Sequence, residues 1–249
     1  MKKKINKISI ITVCLNSEKY IERCLKSVKN QKYPKNKIEH IVIDGVSKDK
    51  TLKIIKKFKK FLYFFESKKD NGIYHAMNKG IKKSTGDIIA ILNSDDYYYN
   101  NTFKIVNDYF NRNNIDFLFG SVLHKRIYHG FYPHKIWYKM NIYPSHSVSF
   151  FIKRNSQNKI GLYDQKFKFS ADRDLIYRLT KSTMKGTATK KNEVFGKFAI
   201  DGISSKLEYF KYTILEEAKI RFKNSQNIIY IVFLSILTMS YKYFRTLIR

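Results

Sequence analysis

The sequence predicts an α/β protein, a mainly parallel central sheet flanked by helices, and three observations carry that expectation. Short apolar runs alternate with amphipathic helical patterns over about the first 95 residues. The runs at Ile8 to Leu15, Ile38 to Ile43 and Ile88 to Leu92 are rich enough in Ile, Val and Leu to suit strands buried on both faces. Each run ends in polar residues, and sheets of this kind bind ligands beyond the carboxyl ends of their strands.

After the first strand, Ile21, Leu25 and Val28 recur at helical spacing with charges between them. The second strand ends in Asp44-Gly45, and Ser47 opens a polar turn into a Lys-rich helix over Thr51 to Lys60, with Leu52, Ile55 and Phe58 facing inward. Phe61 to Phe65 reads as a third strand and Ile73 to Lys83 as a helix, which Gly86-Asp87 breaks before the fourth strand. Thr102 to Phe110 is then helical, Asp116 to Val122 and Val148 to Ile152 are strands, and Asp172 to Lys181 is a helix. His124 to Tyr143 is aromatic and basic, with no period that assigns it. The C-terminus changes character: Tyr209 to Lys223 is a mixed basic helix, and Asn224 to Tyr241 is uncharged and closed by Lys242, Arg245 and Arg249. The organisation expected is one α/β domain over residues 1–205 and a basic, apolar helical extension over 206–249.

At 249 residues with 43% hydrophobic and 28% charged residues, the chain is long enough and apolar enough for one good-sized core. Its net charge of +29 sets up a field that attracts phosphate-bearing partners. Nucleic acid, anionic lipid and nucleotides all answer to it, and heavy use of Lys, Asn, Ile and Tyr along the whole length supplies part of it as background. Cys14 and Cys24 have no metal-type spacing and read as buried free thiols. Met-Lys-Lys-Lys before an apolar run imitates a secretion signal, but Asn16-Ser17-Glu18-Lys19 follows in place of a small-residue cleavage site, so the reading is a strand in a cytoplasmic protein.

The chemistry-bearing residues begin with Asp95 and Asp96, at the end of the fourth strand. Adjacent carboxylates repel, and keeping both ionised favours a hard divalent cation with phosphate completing its shell. For a lone Asp pair, an acidic turn capping the next helix is the better account, because Asp is a common turn and N-cap residue. The surroundings bear on that choice. Asn16 after the first strand, Asp44-Gly45 with Ser47, Asp49 and Thr51, the block Asp70-Asn71-Gly72-Ile73-Tyr74-His75-Ala76-Met77-Asn78-Lys79-Gly80, and Gly86-Asp87 leading to Asn93-Ser94-Asp95-Asp96 together closely resemble family 2 glycosyltransferases. The resemblance is dense over about the first 100 residues and resumes at His146 and at Ala171-Asp172-Arg173-Asp174-Leu175.

This resemblance implies the GT-A fold and a mostly inverting, metal-dependent glycosyltransferase of hexosyl type, using Mn2+ or Mg2+. It implies that Asp44 sits by the donor base or ribose, that Asp95 touches ribose or metal, and that Asp96 ligates the metal holding the pyrophosphate. Asp172 aligns with the family's base, which leaves Asp174 as a helix-start carboxylate in the N-terminal dipole. Asn78 and Lys79 match the donor-binding pattern, though either could only cap or solvate its helix. His75 stands where relatives usually carry Asp, and a neutral His there would still hydrogen-bond a sugar hydroxyl, so altered donor preference is expected. His146 resembles the family's His before a strand, with a metal or phosphate contact and a buried structural His as its two readings.

Other classes lack their own signatures. A nucleotidyltransferase would open on a Gly-rich phosphate loop, and a dinucleotide oxidoreductase needs Gly-x-Gly-x-x-Gly after the first strand, which this chain lacks. No nucleic-acid-binding motif accompanies the basic charge, so no nucleic acid is expected as partner. The partners expected are a nucleotide-diphospho-sugar donor and a saccharide or lipid-linked saccharide acceptor in cell-surface polysaccharide synthesis. The C-terminal stretch falls short of a secure span of about 20 apolar residues, so it is expected to dock peripherally on the anionic inner face of the membrane.

Overall fold

The computed structural model describes residues 4–140, 142–144, 147–198 and 209–247, with side chains through Tyr241. The chain forms β1 (Ile8–Cys14), α1 (Ile21–Lys29), β2 (Ile38–Asp44), α2 (Thr51–Lys57), β3 (Phe64–Ser67), α3 (Ile73–Lys83), β4 (Ile88–Ile91), β5 (Tyr97–Tyr98) and α4 (Thr102–Arg112). It continues through β6 (Phe117–Phe119), β7 (Ser121–Leu123), β8 (Ile127–Tyr128), β9 (Phe150–Lys153), α5 (Arg154–Ile160), α6 (Ala171–Lys181), β10 (Gly186–Ala188), β11 (Val194–Lys197), α7 (Phe210–Lys223) and α8 (Ile228–Leu247). The larger sheet has the order β10-β6-β9-β4-β1-β2-β3, and a smaller one the order β5-β11-β7-β8. In the larger sheet only β9 runs antiparallel to its neighbours, so the sheet is mainly parallel, as expected.

Both faces of the larger sheet are covered because its central strands alternate between two apolar layers. Ile8 and Ile10 point into the layer of α1 and α4, with Cys24, Val28, Phe103 and Val106. Ile11 and Val13 point into the opposite layer with Met77 and Ile81 of α3 and Leu175 of α6. Helix α3 lies so close to β1 that a Cβ at Gly80 would fall 2.2 Å from the Ile11 side chain, which excludes any larger residue there.

Three strand boundaries differ from expectation for physical reasons. Phe61 and Leu62 close a turn onto the Phe58 carbonyl, so the third strand starts only at Phe64. Asp116 to Val122 is not one strand: it divides at Gly120, with β6 in the larger sheet and β7 in the smaller. A Cβ at Gly120 would meet the Phe195 ring at 2.1 Å, so glycine permits the crossing between sheets. β9 begins at Phe150, two residues after the expected start, because a single 3-10 turn at Ser147–Ser149 precedes it.

The C-terminal helices differ in kind. Helix α7 is part of the body, with Ile214, Ile220 and Arg221 buried. Helix α8 buries Ile231 and exposes most of its other apolar residues.

Candidate functional site

The parallel pairing of Cys14 with Asp44 brings the ends of β1 and β2 side by side, and β4 lies on the other flank of β1. Three loops therefore leave one edge of the sheet together. The first two are stitched by hydrogen bonds: Asn16 N–H donates to Ser47 Oγ at 2.8 Å, Ser17 N–H to Thr51 Oγ1 at 2.7 Å, and Lys48 N–H to Asn16 Oδ1 at 2.9 Å. Asp49 accepts from the Glu18 N–H at 3.0 Å, and Glu18 accepts from the Lys50 N–H at 2.8 Å. The third loop joins through Ser17 and Ser94, whose hydroxyls are 2.8 Å apart. The site is thus a rim cross-linked by the chain's own hydrogen bonds.

Asp44 organises that rim from below. It is fully buried and accepts from the Val46 and Ser47 backbone N–H groups at 2.9 and 3.0 Å, from Ser47 Oγ, and from Ser67 Oγ at 2.7 Å. Val46 has φ 68, a strained value for a β-branched residue, and the bond to Asp44 holds it there. Burial, and then the Asp44 charge, push the Cys14 thiol up, so it stays protonated beside Asp44.

Asp95 and Asp96 occupy the third loop. Asp96 is fully buried and Asp95 half-buried. Ser147 Oγ approaches Asp96 Oδ2 at 3.4 Å, and the Asp96 N–H closes a turn on the Asn93 carbonyl at 3.1 Å. Arg23 of α1 donates to the Asp95 carbonyl at 2.9 Å and covers the Tyr97 ring at 4.5 Å. The side chains supply hard oxygen donors only, which suits Mg2+ or Mn2+. Among the described residues no cluster of three His, Cys, Asp or Glu side chains forms a metal cage, so phosphate or water would have to complete a coordination shell.

Asp172 stands in the first turn of α6, among three buried tyrosines. Tyr74 OH donates to Asp172 Oδ1 at 3.1 Å, and the Tyr74 and Tyr163 rings pack at 5.5 Å. Burial chiefly, and the Asp172 charge next, push the phenols of Tyr74, Tyr143 and Tyr163 up, so all three stay neutral. Asp174 faces away into the body: it is fully buried, with Arg178 Nε at 2.9 Å and Lys223 Nζ at 3.2 Å.

The remaining candidates on α3 do not converge on the rim. Asn78 is consumed by the Tyr163 backbone, with its Nδ2 donating to the carbonyl at 2.9 Å and its Oδ1 accepting from the N–H at 3.0 Å. Lys79 pairs with Glu66 of β3, and the ammonium holds the Glu66 carboxyl below its usual range. His75 Nδ1 accepts from the Asn71 N–H at 2.9 Å, which in the neutral ring assigns the proton to Nε2. His146 lies outside the described residues. Sequence reasoning missed Arg23, Ser147 and the tyrosine cage. Tyr74 had a signal, since it lies inside the Gly72 to Gly80 block, but nothing local marks Tyr143 or Tyr163 as its companions.

Comparison with known proteins matches residues 9–179, more than half of the chain, to the family described as Glycosyl transferase family 2. The chain belongs to that family. A dolichyl N-acetyl-alpha-D-glucosaminyl phosphate 3-beta-D-2,3-diacetamido-2,3-dideoxy-beta-D-glucuronosyltransferase of Methanococcus voltae is 41% identical over 98 residues, 37% of this chain and 30% of that protein. The poly(ribitol-phosphate) beta-N-acetylglucosaminyltransferase TarS of Staphylococcus aureus is 35% identical over 101 residues, 39% of this chain and 18% of that protein. In both, the matched segment is under a third of the relative's own length. The crystal structure of S. aureus TarS 1-349 with UDP-GlcNAc superposes with a TM-score of 0.69 at 20% identity, covering 92% of this chain and 70% of that one. The mannosyltransferase PcManGT of Pyrobaculum calidifontis, in complex with GDP-Man and Mn2+, superposes with 0.67 at 16% identity, covering 93% and 68%. These superpositions establish the GT-A fold for this family 2 chain.

Proposed function

We propose that this family 2 protein transfers a sugar from a nucleotide-diphosphate donor to a saccharide or lipid-linked saccharide, with inversion, in cell-surface polysaccharide synthesis. The observation that carries the reading is the cross-linked rim at the carboxyl ends of β1, β2 and β4, which presents Asp95 and Asp96 where such a sheet binds nucleotides. The UDP-GlcNAc and GDP-Man found in structures of the same fold support a nucleoside diphosphate sugar as donor class.

Asp96 and Asp95 would hold a divalent cation, Mn2+ or Mg2+, which when bound supplies charge neutralisation for the donor diphosphate. Arg23 fixes the loop that carries them. Asp44 shapes the wall beside the base and ribose by holding Val46 and Ser47, because its own acceptor positions face that loop. Asn78 acts as a positioning residue for Tyr163, and Lys79 ties α3 to β3 through Glu66. His75 offers an Nε2–H donor where relatives carry an acceptor, which favours donors with an acceptor group at that point.

Asp172 is the base. It takes the acceptor hydroxyl proton as that oxygen bonds to the anomeric carbon, and the bond from that carbon to the diphosphate oxygen breaks on the opposite face. Tyr74 steadies the carboxylate while the proton arrives. The division into a catalytic region over 1–205 and a docking extension over 206–249 is kept for its outer part, since α8 bears the exposed apolar residues. That helix would hold the enzyme peripherally on the anionic cytoplasmic face of the membrane. Among the described residues no helix is long and apolar enough to cross it.

Thermal shift with UDP- and GDP-sugars, with and without manganese, tests the donor and metal assignments. Donor-dependent stabilisation that needs manganese is expected in the wild type, and Asp96→Ala should lose it along with transfer while keeping its fold. Full turnover by Asp96→Ala, or by the wild type in excess chelator, would rule out the metal role.

A further inference from the structure

The two longest stretches of the chain without Asp or Glu run from Phe117 to Tyr163 and from Ala218 to Arg249. They are far apart in sequence and meet in space. Trp137 stacks on Tyr230 at the start of α8, with ring centroids 5.7 Å apart and planes 24° apart. The buried Arg221 of α7 locks the junction by donating to the carbonyls of Ile136 at 3.2 Å and Trp137 at 2.8 Å, and Gln226 donates to the Trp137 carbonyl at 3.1 Å.

What the junction presents outward is apolar, aromatic and basic. Trp137 and Tyr138 are 54% and 40% exposed, and Ile229, Phe233 and Leu237 of α8 are 77%, 58% and 55% exposed. Lys135 and Lys139 flank the aromatic pair. From Ile236 to Tyr241 every residue of α8 is exposed. A protein groove covers one face of a helix, whereas lipid can surround it. Trp and Tyr beside Lys are also the residues that settle at headgroup depth, with rings in the boundary and ammonium groups among anionic lipids.

We infer that Trp137 and Tyr138 form a second anchor beside α8, and that the two together make one surface that seats on an anionic bilayer. This rests on the membrane-docked reading above and assigns residues to it that lie in the catalytic region. The surface is also tied to the base. Lys223 at the end of α7 pairs with Asp164 and Asp174, and Glu217 pairs with Arg173 next to Asp172. Seating the surface therefore sets the orientation of the Asp172 turn toward the membrane, where a lipid-linked acceptor would be presented.

Trp137 is the chain's one tryptophan, so tryptophan emission, excited selectively over the 19 tyrosines, reports this position alone. With mixed phosphatidylcholine–phosphatidylserine vesicles, its emission should move to the blue and be quenched by brominated acyl chains. Trp137→Ala with Tyr138→Ala should weaken vesicle affinity about tenfold with unchanged circular dichroism. Vesicles that sediment the wild type yet leave Trp137 unquenched would overturn the second anchor while leaving docking through α8 in place. No sedimentation with anionic vesicles would overturn both. A blue shift without vesicles that grows with protein concentration would assign the surface to a second copy of the chain, and that too would overturn the inference.

Discussion

A carboxylate set among three buried phenols has its position fixed by the chain itself. Tyr74 donates to Asp172, and the raised phenols of Tyr143 and Tyr163 stay neutral around it. Asp172→Asn keeps the shape and removes the ability to accept a proton at neutral pH. Turnover should fall about 100-fold or more with donor affinity little changed. Donor affinity lost in proportion, measured by isothermal titration with the nucleotide sugar, would move Asp172 out of the base role. Legibility at this scale was uneven. Asp95, Asp96 and Asp172 stood out through motif and chain order, but the same reading could not foresee that Asn78 spends both ends of its amide on the Tyr163 backbone. A side chain's partner 85 residues away is a tertiary fact.

Among the elements, those with a strong period were read to within about three residues, the largest gap being the helix expected over Thr51 to Lys60, which ends at Lys57. Ile73–Lys83 was expected and found, because its apolar positions recur at helical spacing and Gly72 and Ser84 bound it. The polar α5 and the short strands β10 and β11 were not assigned, since a few half-buried residues carry no period. Helix α7 was expected within the C-terminal extension over 206–249, and its contacts reach α6 and the segment just before it. Glu216 accepts from the Lys168 and Phe169 N–H groups at 2.7 and 2.9 Å, and Lys223 reaches Asp174. Ending the chain after Asn224 should therefore leave the thermal midpoint close to that of the full protein, whereas ending it after Ser205 should lower it by roughly 5 °C or more, since removing Ile214, Ile220 and the buried-pair partner of Asp174 costs a few kcal/mol. Equal midpoints for the two truncations, by calorimetry, would return α7 to the extension.

For the molecule as a whole, stability should carry the mark of one imidazole. His40 is fully buried in β2 with Thr12 Oγ1 at 2.9 Å from Nε2, and burial pushes it down to about 3. The folded chain refuses a proton that the unfolded chain binds below its ordinary value of about 6.5, so stability is whole above that pH and falls on acidification. The slope is about 1.4 kcal/mol per pH unit, giving a loss of about 2 kcal/mol between pH 6.5 and pH 5, before most carboxylates titrate. His40→Gln should flatten that part of the denaturation-midpoint profile. A mutant and wild type with parallel profiles from pH 7 to pH 5 would show that His40 is not the group responsible.

Two kinds of information separate at the end. The amino-acid order alone determined the α/β class, the central strands, the family resemblance and the acidic pair, because each depends on local periodicity or on residues close in the chain. Only the tertiary structure decided that β6 and β7 belong to different sheets, that Asn78 and Lys79 are spent inside the body, and that Trp137 meets Tyr230. Those outcomes depend on which distant groups come within a few ångströms, and hydrogen bonds and stacking act only at that range.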